Sequence, residues 1–220
     1  MKKFRLNMTS RRVLTTLDRL QFATADQLIY WIDVSQSTVS NTLSALCDAN
    51  YVCVDKVVKP YIYSLTLAGR RAINSAAPKK AFYSAAVKRH SCHRNQIEIV
   101  LRKRYQKLTF QPRKTWLKYG LNPAFGEHGA KDVDVFTLIL LDDYLMDSVR
   151  IPHSWTRPHT ANVRYWQHPQ IRHWQDVVSR FVVVCTDEVQ QKRHRTYLNT
   201  TQLNTPVDVM FVKPLWENVC

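Results

Sequence analysis

The chain has 220 residues, 45 % of them hydrophobic and 11 % aromatic, which is enough to bury a core and too apolar for a disordered chain. Lys and Arg number 32 against 17 Asp and Glu, a formal charge of +15 that costs compact-state stability and points to a polyanionic partner. No apolar run reaches the ~20 residues of a membrane span, and no apolar segment follows the basic start MKKFRLNMTSRR, so a cytoplasmic, nucleoid-associated protein without membrane contact is expected.

Taken in order, SRRVLTTLDRLQ places Val13, Leu14, Leu17 and Leu20 at helical spacing, with Arg11, Arg12 and Arg19 off the stripe. Phe22 and Ala23 break that pattern. Thr24 with Gln27 three residues on is a capping box, opening a short helix through Leu28, Trp31 and Ile32. Asp33-Val34-Ser35 makes a turn, and Ser35 can cap the following helix, QSTVSNTLSALCDA. That helix is apolar at Val39, Leu43 and Leu46 and carries Gln36, Ser37, Thr38, Ser40, Asn41 and Ser44 on its other side. Small hydrogen-bonding side chains opposite an apolar face suit the major groove, where bulky or acidic groups would be held off. Asp48 is the exception, at the far end. YVCVDKVVKPYIYSLT predicts two strands, about 51–56 and 61–66, around a turn near Lys59-Pro60, and LAGRRAINSAA a closing helix. This order is that of a winged helix-turn-helix over residues 1–77. Lys56, Lys59 and Tyr61 on the hairpin are placed to reach phosphates. A winged helix that binds protein without touching DNA is the alternative.

PKK at 78–80 marks a junction, and residues 78–220 are expected to form a second domain. A long helix spans about 84–106, apolar at Val87, Ile97, Val100 and Leu101. Lys88 to Lys114 holds nine basic residues, among them Lys88, Arg89, Arg94, Arg102, Lys103 and Arg104, and a single acid, Glu98. These cations are expected to form a second phosphate-contacting surface; Lys192 to Arg195 is the other place for one. KLTFQP and KTWLKY suggest a strand or hairpin, GLNPAFGEHGAKD a loop, DVDVFTLILL an apolar strand, and residues after Asp142 a turn and another strand. A helix over 169–178, the buried strand RFVVVCTD, the basic helix EVQQKRHRTYLNTTQ and the strand VDVMFVKPL complete an α/β domain with a mixed sheet. The five cysteines show no CxxC spacing and read as reduced core thiols.

The phrases RRVLTTLDRLQFATADQL, YIYSLTLAGRRAI and HRNQIEIVL, in this order, resemble the replication-relaxation family of plasmid and mobile-element proteins, which includes mobilisation proteins of the MobC kind. The resemblance implies a second domain similar to PD-(D/E)xK restriction-endonuclease-like nucleases and a role in DNA processing at a plasmid or element origin. The fold class expected is therefore α/β (α+β overall), a winged helix followed by a mixed-sheet, nuclease-like domain.

A nuclease of that kind needs carboxylates converging on Mg²⁺ or Mn²⁺ and a Lys beside the attacking water. Asp132 or Asp134 suits the strand position, Glu98 the helical one and Asp147 the next strand, with Asp132 and Asp134 the metal ligands if any exist. No Lys follows Asp147, and Arg150 has the wrong spacing and too high a pKa for a base. The set is incomplete, so the expectation is a catalytically degenerate domain without a cofactor, in which Asp132 and Asp134 cap the loop before a buried strand. His90 and His93 lie three apart on a helix without a further ligand at convincing spacing. Tyr105 and Tyr197 lack the His cluster that accompanies a nicking tyrosine, and Trp155 and Trp166 could stack on bases. Three functions stay open: a sequence-specific mobilisation or replication accessory protein, an active metal-dependent nickase, and a winged-helix transcription factor. Expected partners are double-stranded DNA, other mobilisation, replication or transcription proteins, and a second copy of the chain.

Overall fold

Helix α1, Met8–Leu20, opens the described part of the computed structural model, which covers residues 6–57, 59–76, 83–105, 109–111, 128–132, 135–142, 180–185, 188–200, 203–204 and 206–216. The Asn7 side chain caps the helix by accepting from the Ser10 N–H at 2.8 Å. Val13, Leu14, Leu17 and Leu20 are buried, as their spacing predicts. The helix ends at Gln21, whose positive φ of 65° turns the chain into a short strand, β1, Phe22–Ala23. The residues expected only to break the helix therefore make a strand, because Phe22 and Ala23 pair antiparallel with Ser64 and Tyr63.

Helix α2, Ala25–Ile32, begins with the predicted capping box: the Thr24 N–H donates to Gln27 Oε1 at 3.1 Å, and the Gln27 N–H to Thr24 Oγ1 at 3.4 Å. Asp33 in the left-handed region ends it. Helix α3, Gln36–Asp48, follows after the Ser35 cap and buries Val39, Leu43 and Leu46. Strands β2, Val52–Asp55, and β3, Ile62–Leu65, form the hairpin, giving a three-stranded antiparallel sheet in the order β1-β3-β2. Helix α4, Leu67–Ala72, closes the set under a Thr66 cap. Leu14, Leu17, Leu28, Ile32 and Leu46 meet in one core, each fully buried side chain contributing roughly 1.5–3 kcal/mol.

The long helix α5, Ala85–Arg104, differs from its predicted face. Ile97 and Leu101 are buried, but Val87 is exposed and Val100 only half-buried. Its buried residues are Cys92, His93, Asn95, Ile97, Ile99 and Leu101, spread around the helix rather than along one stripe. Cys92 packs with Phe22 and Ile62, while Tyr83 meets Phe22 edge-on at 5.2 Å. The unit boundary moves accordingly. Residues up to Ile99 belong with the first unit, together with Pro214–Cys220, and the second unit is Val100–Lys213, in place of a division at 77/78. The reason is that Lys88 to Asn95 of α5 bond to or pack against α1, β1, α2 and the hairpin rather than leading away from them.

In the second unit, β4 (Thr109–Gln111), β5 (His128–Asp132), β6 (Val135–Asp142), β7 (Arg180–Cys185) and β8 (Val207–Phe211) form a sheet in that order. The pairs β4–β5 and β5–β6 are antiparallel, and β6–β7 and β7–β8 parallel. The mixed α/β class agrees with the sequence. His128–Asp132, read as the end of a loop, is instead a central strand held by neighbours on both sides. Helix α6, Glu188–Thr200, joins β7 to β8, and Val182 to Cys185 are completely buried, as parallel strands usually are. KTWLKY, the strand expected after Asp142 and the helix expected over 169–178 lie outside the described residues. Among the described residues no helix is long and apolar enough to cross a membrane.

Two predictions follow from this packing. A Cβ built on Gly69 would lie 2.0 Å from the Tyr51 carbonyl oxygen, so α4 can seat there only without a side chain. Gly69→Ala should therefore cost roughly 1–3 kcal/mol, read as a lower denaturant midpoint, whereas an unchanged midpoint would mean α4 is not seated on Tyr51. His93 is buried, with neither ring nitrogen hydrogen-bonded to a described residue. Burial, assisted by neighbouring His90, holds its pKa down to about 4. The unfolded chain takes up that proton near pH 6.5, so the stabilisation is complete above 6.5 and is lost as pH falls towards 4, by about 3 kcal/mol. His93→Leu should flatten urea-unfolding stability between pH 7 and pH 4 by that amount; an equally steep dependence in the variant would assign the effect elsewhere.

Candidate nucleic-acid interface

The outward face of α3 is built from its cap upward. The Ser35 hydroxyl accepts from the Thr38 N–H at 3.3 Å and lies 2.8 Å from Thr38 Oγ1 and 3.1 Å from Ser37 Oγ. Ser35 and Thr38 therefore hold the first turn together. Gln36, Ser37, Ser40, Asn41 and Ser44 are exposed along the same side, while Val39, Leu43 and Leu46 lock the opposite side into the core. The first turn holds no acidic residue, so the positive end of the helix dipole is not neutralised by its own carboxylate. Asp48 is exposed at the C-terminal end. The cap Ser35 and the six positions singled out on α3 are thus all exposed.

The scaffold behind this face is tied by cations as well as by apolar contact. Arg12 donates to the Ile32 carbonyl, joining α1 to the end of α2, and the Arg19 guanidinium lies 3.8 Å above the Trp31 ring. Arg70 of α4 bonds Asp18 of α1 at 2.7 Å, with Ser75 donating to the same oxygen at 2.6 Å.

On the hairpin, Lys56, Val57 and Lys59 are exposed, and Lys59 Nζ lies 5.9 Å from the centre of the half-buried Tyr61 ring. Asp55 accepts from the Val57 N–H at 3.2 Å and from Lys88 Nζ at 2.8 Å. These bonds, Lys88's first, hold its carboxyl below the usual carboxylate range. Lys88, expected on a phosphate-binding surface, is committed to Asp55. Sequence reasoning missed this pair because its members are 33 residues apart and follow no local pattern.

The rest of the basic run does not form a continuous solvated face. Among its described residues, Arg89, Arg94 and Arg102 are half-buried and Lys103 and Arg104 exposed, the latter 5.5 Å from the Tyr105 ring. The polar side chains between them turn inward: Ser91 donates to the Leu20 carbonyl at 3.3 Å, and Asn95 to the Phe22 carbonyl at 2.7 Å and Leu20 at 3.4 Å. Cys53, expected in the core, is exposed on β2 with Sγ 3.1 Å from Ser64 Oγ. It fills an outward position of an edge strand, where alternation places it.

Of the proposed carboxylates, Glu98 is half-buried on α5 within the first unit, whereas Asp132 ends β5 opposite Val135 in the second. Asp134 and Asp147 lie outside the described residues. Among the described residues no group of three or more His, Cys, Asp or Glu is placed to hold a metal ion. Tyr105 donates to Asp208 on β8, tying the end of α5 into the second sheet. With this geometry in view, no protein-family model and no curated protein matches the chain.

Proposed function

We propose that the first unit is a winged helix-turn-helix and that α3 reads base edges in the major groove of duplex DNA. The observation that carries this is the α3 face: exposed, uncharged, hydrogen-bonding side chains from Gln36 to Ser44 on a helix whose other side is immobile in the core. Neutral amides and hydroxyls can both donate and accept, so they match the mixed donor and acceptor pattern of the groove. Lys56 and Lys59 at the hairpin tip then supply phosphate contacts, and the chain's charge of +15 supplies the long-range attraction.

The second unit is read as a nuclease-like platform that does not cleave, since Val149 stands two residues after Asp147, where a catalytic Lys is required. With the family resemblance of the sequence, this makes the protein a sequence-specific DNA-binding factor of a plasmid or mobile element, acting in mobilisation or replication.

The test is a selection of preferred duplexes from a random pool, followed by titration of wild type and Ser40→Ala/Asn41→Ala on the selected and a scrambled site. The variant should keep its melting temperature, since both side chains are exposed, and lose ~1–3 kcal/mol of discrimination for each base contact removed. Unchanged discrimination would remove α3 as the reader. Incubated with supercoiled plasmid and Mg²⁺ or Mn²⁺, the protein should bind without nicking. Nicking that is lost in Asp132→Ala and Asp134→Ala would make it an enzyme instead.

A further inference from the structure

Outside the α3 face, helix α6 of the second unit presents an exposed side of cations and neutral hydrogen-bonding side chains. Helix α6 is anchored on β8 by its inner side. His194 is buried, Arg195 donates to the Val209 carbonyl at 3.2 Å, and Gln191 Oε1 accepts from the Phe211 N–H at 3.1 Å and from Arg195 at 3.0 Å. Arg195 is therefore spent on holding the helix in place.

The outer side is different. Lys192, Arg193, Thr196, Asn199 and Thr200 are all exposed, one, four, seven and eight residues along from Lys192, on a side of the helix that begins with exposed Glu188 and Val189. Lys192 and Arg193 form no ion pair with a described residue. The Thr200 hydroxyl donates to the Tyr197 carbonyl at 2.8 Å, which leaves Thr196 and Asn199 as the neutral donors of this side. From Lys192 to Asn199 the helix advances about 10 Å, room for contacts to about two successive phosphates. Two adjacent cations continued by Thr and Asn is the side-chain set that proteins turn to DNA backbone oxygens. An apolar or basic partner would leave both charges unmatched.

We propose that this face of α6 grips the phosphate backbone of duplex DNA, without reading sequence. It rests on the DNA-binding reading above and gives that reading a second, electrostatic contact in a different unit of the chain. Base preference then resides in α3, and part of the salt-dependent affinity in Lys192 and Arg193.

The experiment uses the full chain, titrated on a duplex of random sequence over a range of salt concentrations. Lys192→Ala/Arg193→Ala should lower the slope of log affinity against log salt by about 0.9 per lost contact, and leave unchanged the ratio of affinities for selected and scrambled sites. Thr196→Ala/Asn199→Ala should weaken binding while leaving the slope intact, because neutral donors displace no counterions. An unaltered slope in the charge variant, with wild-type binding intact and sensitive to Ser40→Ala/Asn41→Ala, overturns this inference alone. Absence of any salt-dependent duplex binding by wild type overturns the proposed function with it. Vesicles containing phosphatidylserine form a control arm: binding to them that the charge variant loses, with duplex binding untouched, would assign the face to a membrane surface and likewise overturn the proposal.

Discussion

The first unit turns on the buried amide of Gln27. Its Oε1 accepts from the Thr24 N–H and so starts α2, while its Nε2 donates to the Cys92 carbonyl of α5 at 2.6 Å. One side chain thus satisfies a helix N-terminus and fixes a second helix against it. Asn95 and Ser91 repeat the device in the other direction, donating to Leu20, one of the final carbonyls that α1 cannot satisfy from within itself. Each of these groups would be costly to bury unpaired, by about 1–3 kcal/mol, so the bonds specify where α5 sits more than they add to net stability. Lys88 with Asp55, and Trp216 with the Pro60 carbonyl at 3.3 Å, extend the same fixation to the hairpin. The position of the hairpin relative to α3 is thereby set by residues far away in sequence.

This arrangement explains why the densest run of charge is not the freest. Lys88 to Arg104 looks like a solvated basic face when read as composition, because Lys and Arg normally mark the exposed side of a helix. In the fold, a helix that must dock on backbone carbonyls turns amides and hydroxyls inward, and its long cations are left to fill the flanks, half-buried along their stems. Beyond Lys103 and Arg104, exposed positive charge among the described residues lies on other elements, for example at Arg11, Arg12, Lys56, Lys59, Lys192 and Arg193.

What was legible in the sequence follows the same division. Helices α1, α2 and α3 declare themselves through local chemistry: Thr24 and Ser35 are legible caps, and the leucines and valines recur at helical spacing, whereas the Asn7 cap of α1 appears only in the structure. The hairpin is equally local. Strand β1 is only Phe22 and Ala23, too short for any period, and exists because β3 offers a partner. Strand β5, His-Gly-Ala-Lys-Asp, has the composition of a loop and is a strand because β4 and β6 flank it. Burial on α5 was only partly legible, at Ile97 and Leu101, for a related reason. Its inward residues include His93 and Asn95, polar types whose burial is decided by what they meet. The outward face of α3 was readable down to each residue, since the apolar side fixes the polar one by geometry.

The two helices proposed to meet DNA differ in a way that bears on how affinity and specificity divide. On α3 no Lys or Arg is present, so contacts there gain little from charge and depend on matching donor to acceptor. On α6 the cations lie beside neutral donors, and the energy gained there is largely counterion release, which is indifferent to sequence and falls with salt. A reader without charge discriminates well but associates slowly and holds weakly. A charged grip associates quickly on any DNA but cannot choose. Each helix thus carries the side chains that its proposed task requires: matched neutral donors and acceptors on α3, cations on α6.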